Sequence, residues 1–305
     1  MFKNLPSQIE VVEVGPRDGF QNVKTFIPTQ DKLAIIDSLI AAGITEIEIG
    51  SFVSPKAIPQ MADTKEICQT ILKKYGETIN PSVLIPNLRG AQLAWEAGIR
   101  DIEYVISVSE THNKANINQT HEHSLAELAK ILDTLPKMAV RVGLATAFAC
   151  PFEGWTRYDQ VISLASEITS LGVNKLALSD TIGVATPDKV HDLSLIMQKA
   201  FPASTFALHL HDTRGMGLAN TMAGILAGIR IHETSIGGLG GCPFAPGAAG
   251  NTSTEDVINM LSTMNISTGV EWKKLLETTE LVRNKVDASL SSHMAKAKIY
   301  NWPNM

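Results

Sequence analysis

Short β-branched runs alternate with longer amphipathic stretches along most of the chain. The runs predict strands at Ile9–Val14, Ile44–Ile49, Ser82–Ile85, Ile102–Val108, Val140–Ala145, Lys175–Leu178, Thr205–His211 and Glu233–Ile236. Many are almost continuously apolar, as in parallel strands covered on both faces. Between them, the apolar spacing predicts helices at Gln30–Ala42, Met61–Lys73, Leu88–Ala97, Ser124–Leu135, Tyr158–Leu171, Asp188–Lys199, Leu218–Ala227 and Asp256–Met264. Gly43, Gly98, Gly172 and Gly228 stop four of these helices, and Pro136 stops a fifth. Thr186-Pro187 reads as an N-cap and first helical residue. Thr252-Ser253-Thr254-Glu255 has capping-box spacing.

Eight strand–helix units without a break in composition predict one α/β domain over residues 1–305. The expected fold is a (β/α)8 TIM barrel over about 9–268, with a short C-terminal helical extension over 269–305. A doubly wound open sheet is the alternative, because alternation alone does not separate closed sheets from open ones.

Composition narrows the function. Hydrophobic residues make up 44% of the 305 and charged residues 19%, enough for a large core and unlike a disordered chain. The net charge of −5 offers no basic surplus for a phosphate backbone, so no nucleic-acid partner is expected. Cys68, Cys150 and Cys242 are too few and too scattered for a disulfide framework or a cysteine zinc site. The N-terminal residues do not read as a secretory signal, and no apolar run reaches the roughly 20 residues that span a bilayer. A soluble cytoplasmic protein with no membrane partner is therefore expected.

In a barrel, active sites sit at the C-terminal ends of the strands, and reactive side chains gather at those positions here. Arg17 and Asp18 follow the first strand; the pair either polarises a carbonyl and binds a cation, or is a turn with an incidental charge pair. Glu48 lies in an apolar segment, where a carboxylate needs an ion-pair partner or a ligand. The fourth strand leads into a polar loop, Ser109–Asn116, and the sixth ends at Ser179-Asp180-Thr181. Asp180 either accepts hydrogen bonds from Arg17 or caps the next segment.

The sharpest local signal is His209-Leu210-His211-Asp212. Residues i and i+2 of a strand share a face, so both imidazoles project together, spaced to share one metal ion. Asp18 and one more oxygen ligand would complete a mixed N/O set suited to Mg²⁺, Mn²⁺ or Zn²⁺. Asn251 either supplies that oxygen or helps to cap a helix. Gly237–Gly247 is a glycine-rich segment holding Cys242, either a lid with a reactive thiol or a turn with an inert one. Its glycines lack dinucleotide-fingerprint spacing.

Together these stretches resemble the 3-hydroxy-3-methylglutaryl-CoA lyase family. The resemblance rests on Gly15-Pro16-Arg17-Asp18-Gly19-Phe20-Gln21-Asn22, Ser51-Phe52-Val53-Ser54-Pro55-Lys56 and Asp180-Thr181-Ile182-Gly183. It continues in His209-Leu210-His211-Asp212-Thr213 and Gly238-Leu239-Gly240-Gly241-Cys242-Pro243. It implies a metal-dependent lyase that splits a 3-hydroxy-3-methylglutaryl thioester into acetyl-CoA and acetoacetate, usually as a homodimer. On matching positions, Asp18, His209, His211 and Asn251 become the metal ligands, with Mg²⁺ or Mn²⁺ the expected ion. Arg17 becomes the cation for the enolate oxygen, and Cys242 the proton donor to the acetyl-CoA carbanion. Glu48 and Asp180 become the acids that organise the arginine and the metal, and His209 the acceptor of the hydroxyl proton. Arg17, Gln21, Asn116 and Thr181 are the expected contacts to the acyl-CoA substrate.

The chain departs from the family at Phe20, at Ile49-Gly50 after Glu48, at Ser179 and at Arg214-Gly215-Met216-Gly217. Its final residues lack the cysteine that some members carry, so redox control through it is not expected. These departures keep open a related 3-hydroxyacyl-CoA such as citramalyl-CoA. Two further readings are a condensing relative running Claisen chemistry forwards and a non-catalytic barrel that binds acyl-CoA.

Overall fold

A computed structural model describes residues 5–241 and 250–297. Eight parallel strands close into a barrel. In chain order they are β1 (Glu10–Glu13), β2 (Glu46–Ser51), β3 (Asn80–Leu84), β4 (Asp101–Ser107), β5 (Ala139–Ala145), β6 (Lys175–Asp180), β7 (Thr205–Leu210) and β8 (Ile231–Thr234). Neighbours in sequence are neighbours in the barrel, and β8 closes against β1 from Glu10↔Ile231 to Glu13↔Thr234. The open-sheet alternative is thereby excluded.

Helices fill the connections: α1 (Thr29–Ala41), α2 (Thr64–Tyr75), α3 (Leu88–Glu96), α4 (Glu110–Ile117), α5 (His121–Thr134), α6 (Tyr158–Ser170), α7 (Pro187–Ala200), α8 (Gly217–Leu226), α9 (Thr254–Thr263) and α10 (Trp272–Lys285). They bury apolar rows such as Ile35, Ile36 and Leu39 of α1 against the outside of the strands. Such rows supply most of the stability of an amphipathic helix. The predicted C-terminal extension is α10, which lies against α1, and the segment after it. Among the described residues, no helix is long and apolar enough to cross a membrane.

Three local expectations are corrected. The eighth strand runs Ile231–Thr234, not Glu233–Ile236. The N–H groups of Ile236 and Gly237 go instead to the carboxylates of Glu13 and Glu255, and Gly237 turns with φ +69°. Residues 110–117 are helical rather than a loop, because Ser109 caps the N–H of His112 and Glu110 pairs with Lys114 one turn on. The cap of α9 falls one residue later than the predicted box, with Ser253 accepting from the N–H of Asp256. A small antiparallel hairpin, Ala149–Cys150 with Gly154–Trp155, also stands above β5.

Candidate active site

Directly after β1 the chain makes a π-helical turn, Gly15–Gly19, whose Arg17, Asp18 and Gly19 N–H groups all return to Val14 O. π-Helical turns are frequent at functional sites. This one puts two adjacent, buried charges at the barrel mouth. Arg17 donates through Nε to Glu48 Oε2 and through Nη1 to Asp18 Oδ1, both at 2.6 Å. Its guanidinium is thus held by two carboxylates, and the partner expected for Glu48 is found.

Asp18 also receives Gln21 Nε2 at 2.7 Å and Asn251 Nδ2 at 2.6 Å. Burial works to raise its pKa, but Arg17, His209, His211 and the Asn251 hydrogen bond hold it below the usual carboxylate range. Asn251 is placed by backbone pairing. The segment Gly250–Thr252 runs beside the end of β7, with Asp212 N–H bound to Gly250 O and Thr252 N–H to Leu210 O, both at 2.9 Å. Gly240 passes this point with φ +128°, and a Cβ there would lie 2.5 Å from Asn251 Nδ2.

His209 and His211 share one face of β7 and its exit, as their spacing predicts. Their Nε2 atoms stand 3.2 Å apart. His209 Nδ1 lies 2.9 Å from Glu233 Oε2 on β8. That carboxylate fixes the tautomer, Nδ1–H donating, and leaves Nε2 facing Asp18 and His211. Burial, followed by the neighbouring His209, pushes His211 down to about 4, so its ring stays neutral.

Donor atoms of Asp18, His209 and His211 all lie within 4.8 Å of one another. Asn251 Oδ1 is buried without a hydrogen-bond partner. Two imidazole nitrogens, a carboxylate and an unused amide oxygen suit a divalent cation. The guanidinium groups of Arg17 and Arg141 face the carboxylates of Asp18, Glu48, Glu103 and Glu233 in the barrel interior.

Around this cluster opens a cavity of about 520 Å³. It is lined by Arg17, Asp18, His209 and His211, and by the sequence-predicted substrate contacts Gln21, Asn116 and Thr181. Thr181 Oγ1 also accepts the N–H of Thr146 at 2.7 Å. Asp180 does not meet Arg17. Its carboxylate accepts the N–H groups of Val184 and Ala185 at 3.1 and 3.0 Å, so it shapes the loop after β6. Burial pushes it up to about 6 despite those bonds. Cys242 lies outside the described residues. The loop root before it is tied down where Asn22 Nδ2 donates to Gly241 O at 3.0 Å.

Sequence reasoning missed Glu103, Arg141 and Glu233. Each is a charged residue on a barrel strand, the same signal that singled out Glu48.

A family profile described as HMGL-like matches residues 8–282. The hydroxymethylglutaryl-CoA lyase of Bacillus subtilis is 41% identical over 289 residues, covering 94% of this chain and 96% of the relative. The mitochondrial hydroxymethylglutaryl-CoA lyase of Mus musculus is 40% identical over 295 residues, covering 96% of this chain and 90% of the relative. Among solved structures, an HMG-CoA lyase of Acinetobacter baumannii in complex with coenzyme A and 3-methylmalate superposes with a TM-score of 0.90 at 37% identity, covering 97% of this chain and 98% of that one. The matched span runs from just before β1 into α10 and takes in every residue of the site described above. The chain belongs to the HMGL-like family.

Proposed function

We propose that this chain is a carbon–carbon lyase that splits 3-hydroxy-3-methylglutaryl-CoA into acetyl-CoA and acetoacetate. The observation that carries the reading is the doubly held Arg17 beside Asp18, His209 and His211 in one cavity. Asp18, His209, His211 and Asn251 would hold Mg²⁺ or Mn²⁺, which when bound supplies Lewis acidity to the substrate's hydroxyl and carboxylate oxygens.

The remaining chemistry falls to the protein's own groups. His209 is assigned as the acceptor of the tertiary hydroxyl proton; with Nδ1–H committed to Glu233, that proton enters at Nε2, so His209 serves as base only while Nε2 is off the ion. The freed electron pair becomes the ketone of acetoacetate as the C2–C3 bond breaks. The bond pair passes into the thioester enolate, whose oxygen Arg17 stabilises. A fixed cation at such an oxyanion contributes several kcal/mol, by analogy with ~2.7–4 for one oxyanion-hole donor. Glu48 keeps Arg17 in place, Gln21, Asn116 and Thr181 line the acyl site, and Cys242 returns a proton to C2. A thiol with an ordinary pKa of about 8.5 stays protonated enough to do so near neutrality.

The test is a coupled acetyl-CoA release assay with Mg²⁺ or Mn²⁺, comparing 3-hydroxy-3-methylglutaryl-CoA with citramalyl-CoA. Preference for the first is expected. Preference for the second would keep the chemistry and change the acyl group. Cleavage of neither, with intact acyl-CoA binding, would favour the non-catalytic barrel. Residues 1–305 are read as one domain working as a cytoplasmic homodimer; sedimentation of the purified protein checks the dimer.

A further inference from the structure

Barrel interiors are usually filled with branched apolar side chains. Here β5 instead sends Arg141 inward, beneath the active site, where it lines a second cavity at the N-terminal end of the barrel. Its guanidinium joins two buried carboxylates from different strands. Nη2 lies 3.0 Å from Glu103 Oε2 on β4, and Nε lies 3.3 Å from Glu233 Oε1 on β8. Because β6 and β7 separate β5 from β8, the second contact crosses the barrel interior. Gly143, two residues on, leaves space for this arrangement: a Cβ there would lie 2.8 Å from Glu103 Oε1.

Arg141 Nε donates to Glu103 Oε2 at 3.1 Å, so Glu233 meets the guanidinium as a charge contact without a hydrogen bond. One oxygen faces Arg141 and the other faces His209 Nδ1 at 2.9 Å. With Arg141 in place, Glu103 and Glu233 are 4% and 2% exposed, so the guanidinium is the charge that both carboxylates meet. An unpaired buried carboxylate moves, takes up a proton or finds another donor. A Glu233 that moves no longer presents Oε2 to His209 Nδ1–H, and the ring loses the acceptor that sets it.

We propose that Arg141 is a positioning residue of the metal centre, fixing Glu233 as the carboxylate that orients His209. The proposal rests on the assignment of His209 as a metal ligand. Its readout is metal binding, so it does not depend on which acyl-CoA is cleaved. A hydrogen-bonded partner behind a ligating histidine typically accounts for about ten- to hundredfold in metal affinity.

The experiment is titration of Mn²⁺ alone into the full-length wild-type protein and into Arg141→Met, Glu233→Gln and the double variant. Each single variant is expected to bind Mn²⁺ about ten- to hundredfold more weakly. The double variant is expected to be no weaker than the weaker single, because both substitutions break one chain of contacts. Wild-type affinity in Arg141→Met, or losses that multiply in the double variant, would overturn the proposal. If Arg141→Met does not fold, Arg141→Gln keeps a donor to the carboxylates and is judged by the same criteria. A wild-type protein that binds Mn²⁺ but releases no acetyl-CoA would defeat the substrate assignment and leave this proposal standing.

Discussion

Arg17 and Glu48, thirty-one positions apart, meet through Nε and Oε2 at 2.6 Å in a fully enclosed ion pair. The second oxygen of Glu48 is buried without a partner. Burial raises the pKa of this carboxyl to about 8, outweighing the pull of Arg17. The Nε–Oε2 hydrogen bond still holds the guanidinium from one side while Asp18 Oδ1 holds it from the other.

That double hold needs a fork. Arg17→Lys keeps the charge but reaches both carboxylates poorly. The expected result is a fall in kcat of about 10²- to 10³-fold, as for loss of one oxyanion donor, with KM changed much less. Steady-state kinetics at saturating Mg²⁺ measure it, and an unchanged kcat would remove Arg17 from the enolate.

Chelation should abolish cleavage, and added Mn²⁺ should restore it. His211→Ala removes one of the proposed ligands and is expected to weaken Mn²⁺ by more than the about ten- to hundredfold expected for a supporting residue. Calorimetric titration separates the two classes. Equal affinity in His211→Ala and the wild type would mean that the cluster at β7 is not the metal site.

Gly240 tests the placement of Asn251. Gly240→Ala forces a β-carbon to within 2.5 Å of Asn251 Nδ2 at φ +128°, a conformation costly for any side chain. The amide must move off Asp18, so metal affinity is expected to fall at least tenfold while the far-UV circular dichroism stays the same. A silent substitution would mean that Asn251 is not part of the ligand set.

His232, on β8, is kept neutral by burial, which pushes its pKa down to about 4. Unfolded, the ring gains its proton near 6.5. As pH falls, the unfolded chain takes up this proton first. The contribution to stability is whole above about 6.5 and is lost progressively towards about 4, amounting to about 2 kcal/mol at pH 5. Urea unfolding at pH 7 and pH 5 should show this loss in the wild type and a smaller one in His232→Leu. Identical pH dependence in the two proteins would show that His232 is not its source.

Burial also pushes the Cys68 thiol up to about 12, leaving it without thiolate character. A disulfide reagent at pH 8 is expected to leave Cys68 unmodified in the native protein and to label it on unfolding. Peptide mass mapping reads the difference.

Much of the site was legible because strands impose a period of two. His209 and His211 announce themselves at i and i+2, and Arg17 and Asp18 sit where a barrel strand ends. Glu103, Arg141 and Glu233 were harder. They stand on three separate strands, and no local spacing connects them. The argument applied to Glu48, that a charge in an apolar strand demands a partner, fits all three but does not say which partner. Only closure of the barrel brings Arg141 across to Glu233. Asp180 shows the opposite limit: its position was right, but its backbone partners in the following loop left nothing for Arg17.

The end of the described chain does more than cover α1. Asp256, at the start of α9, accepts Ser292 Oγ and the N–H groups of His293 and Met294, while Ser291 N–H binds Gly237 O. The residues after α10 are thus lashed to the root of the glycine-rich segment that leads to Cys242. For protein engineering, this makes the C-terminus the wrong end to shorten or to strain with a fusion. A chain cut after Lys285 keeps every barrel strand but loses the tether at the root of that segment, whereas an N-terminal tag leaves that tether alone.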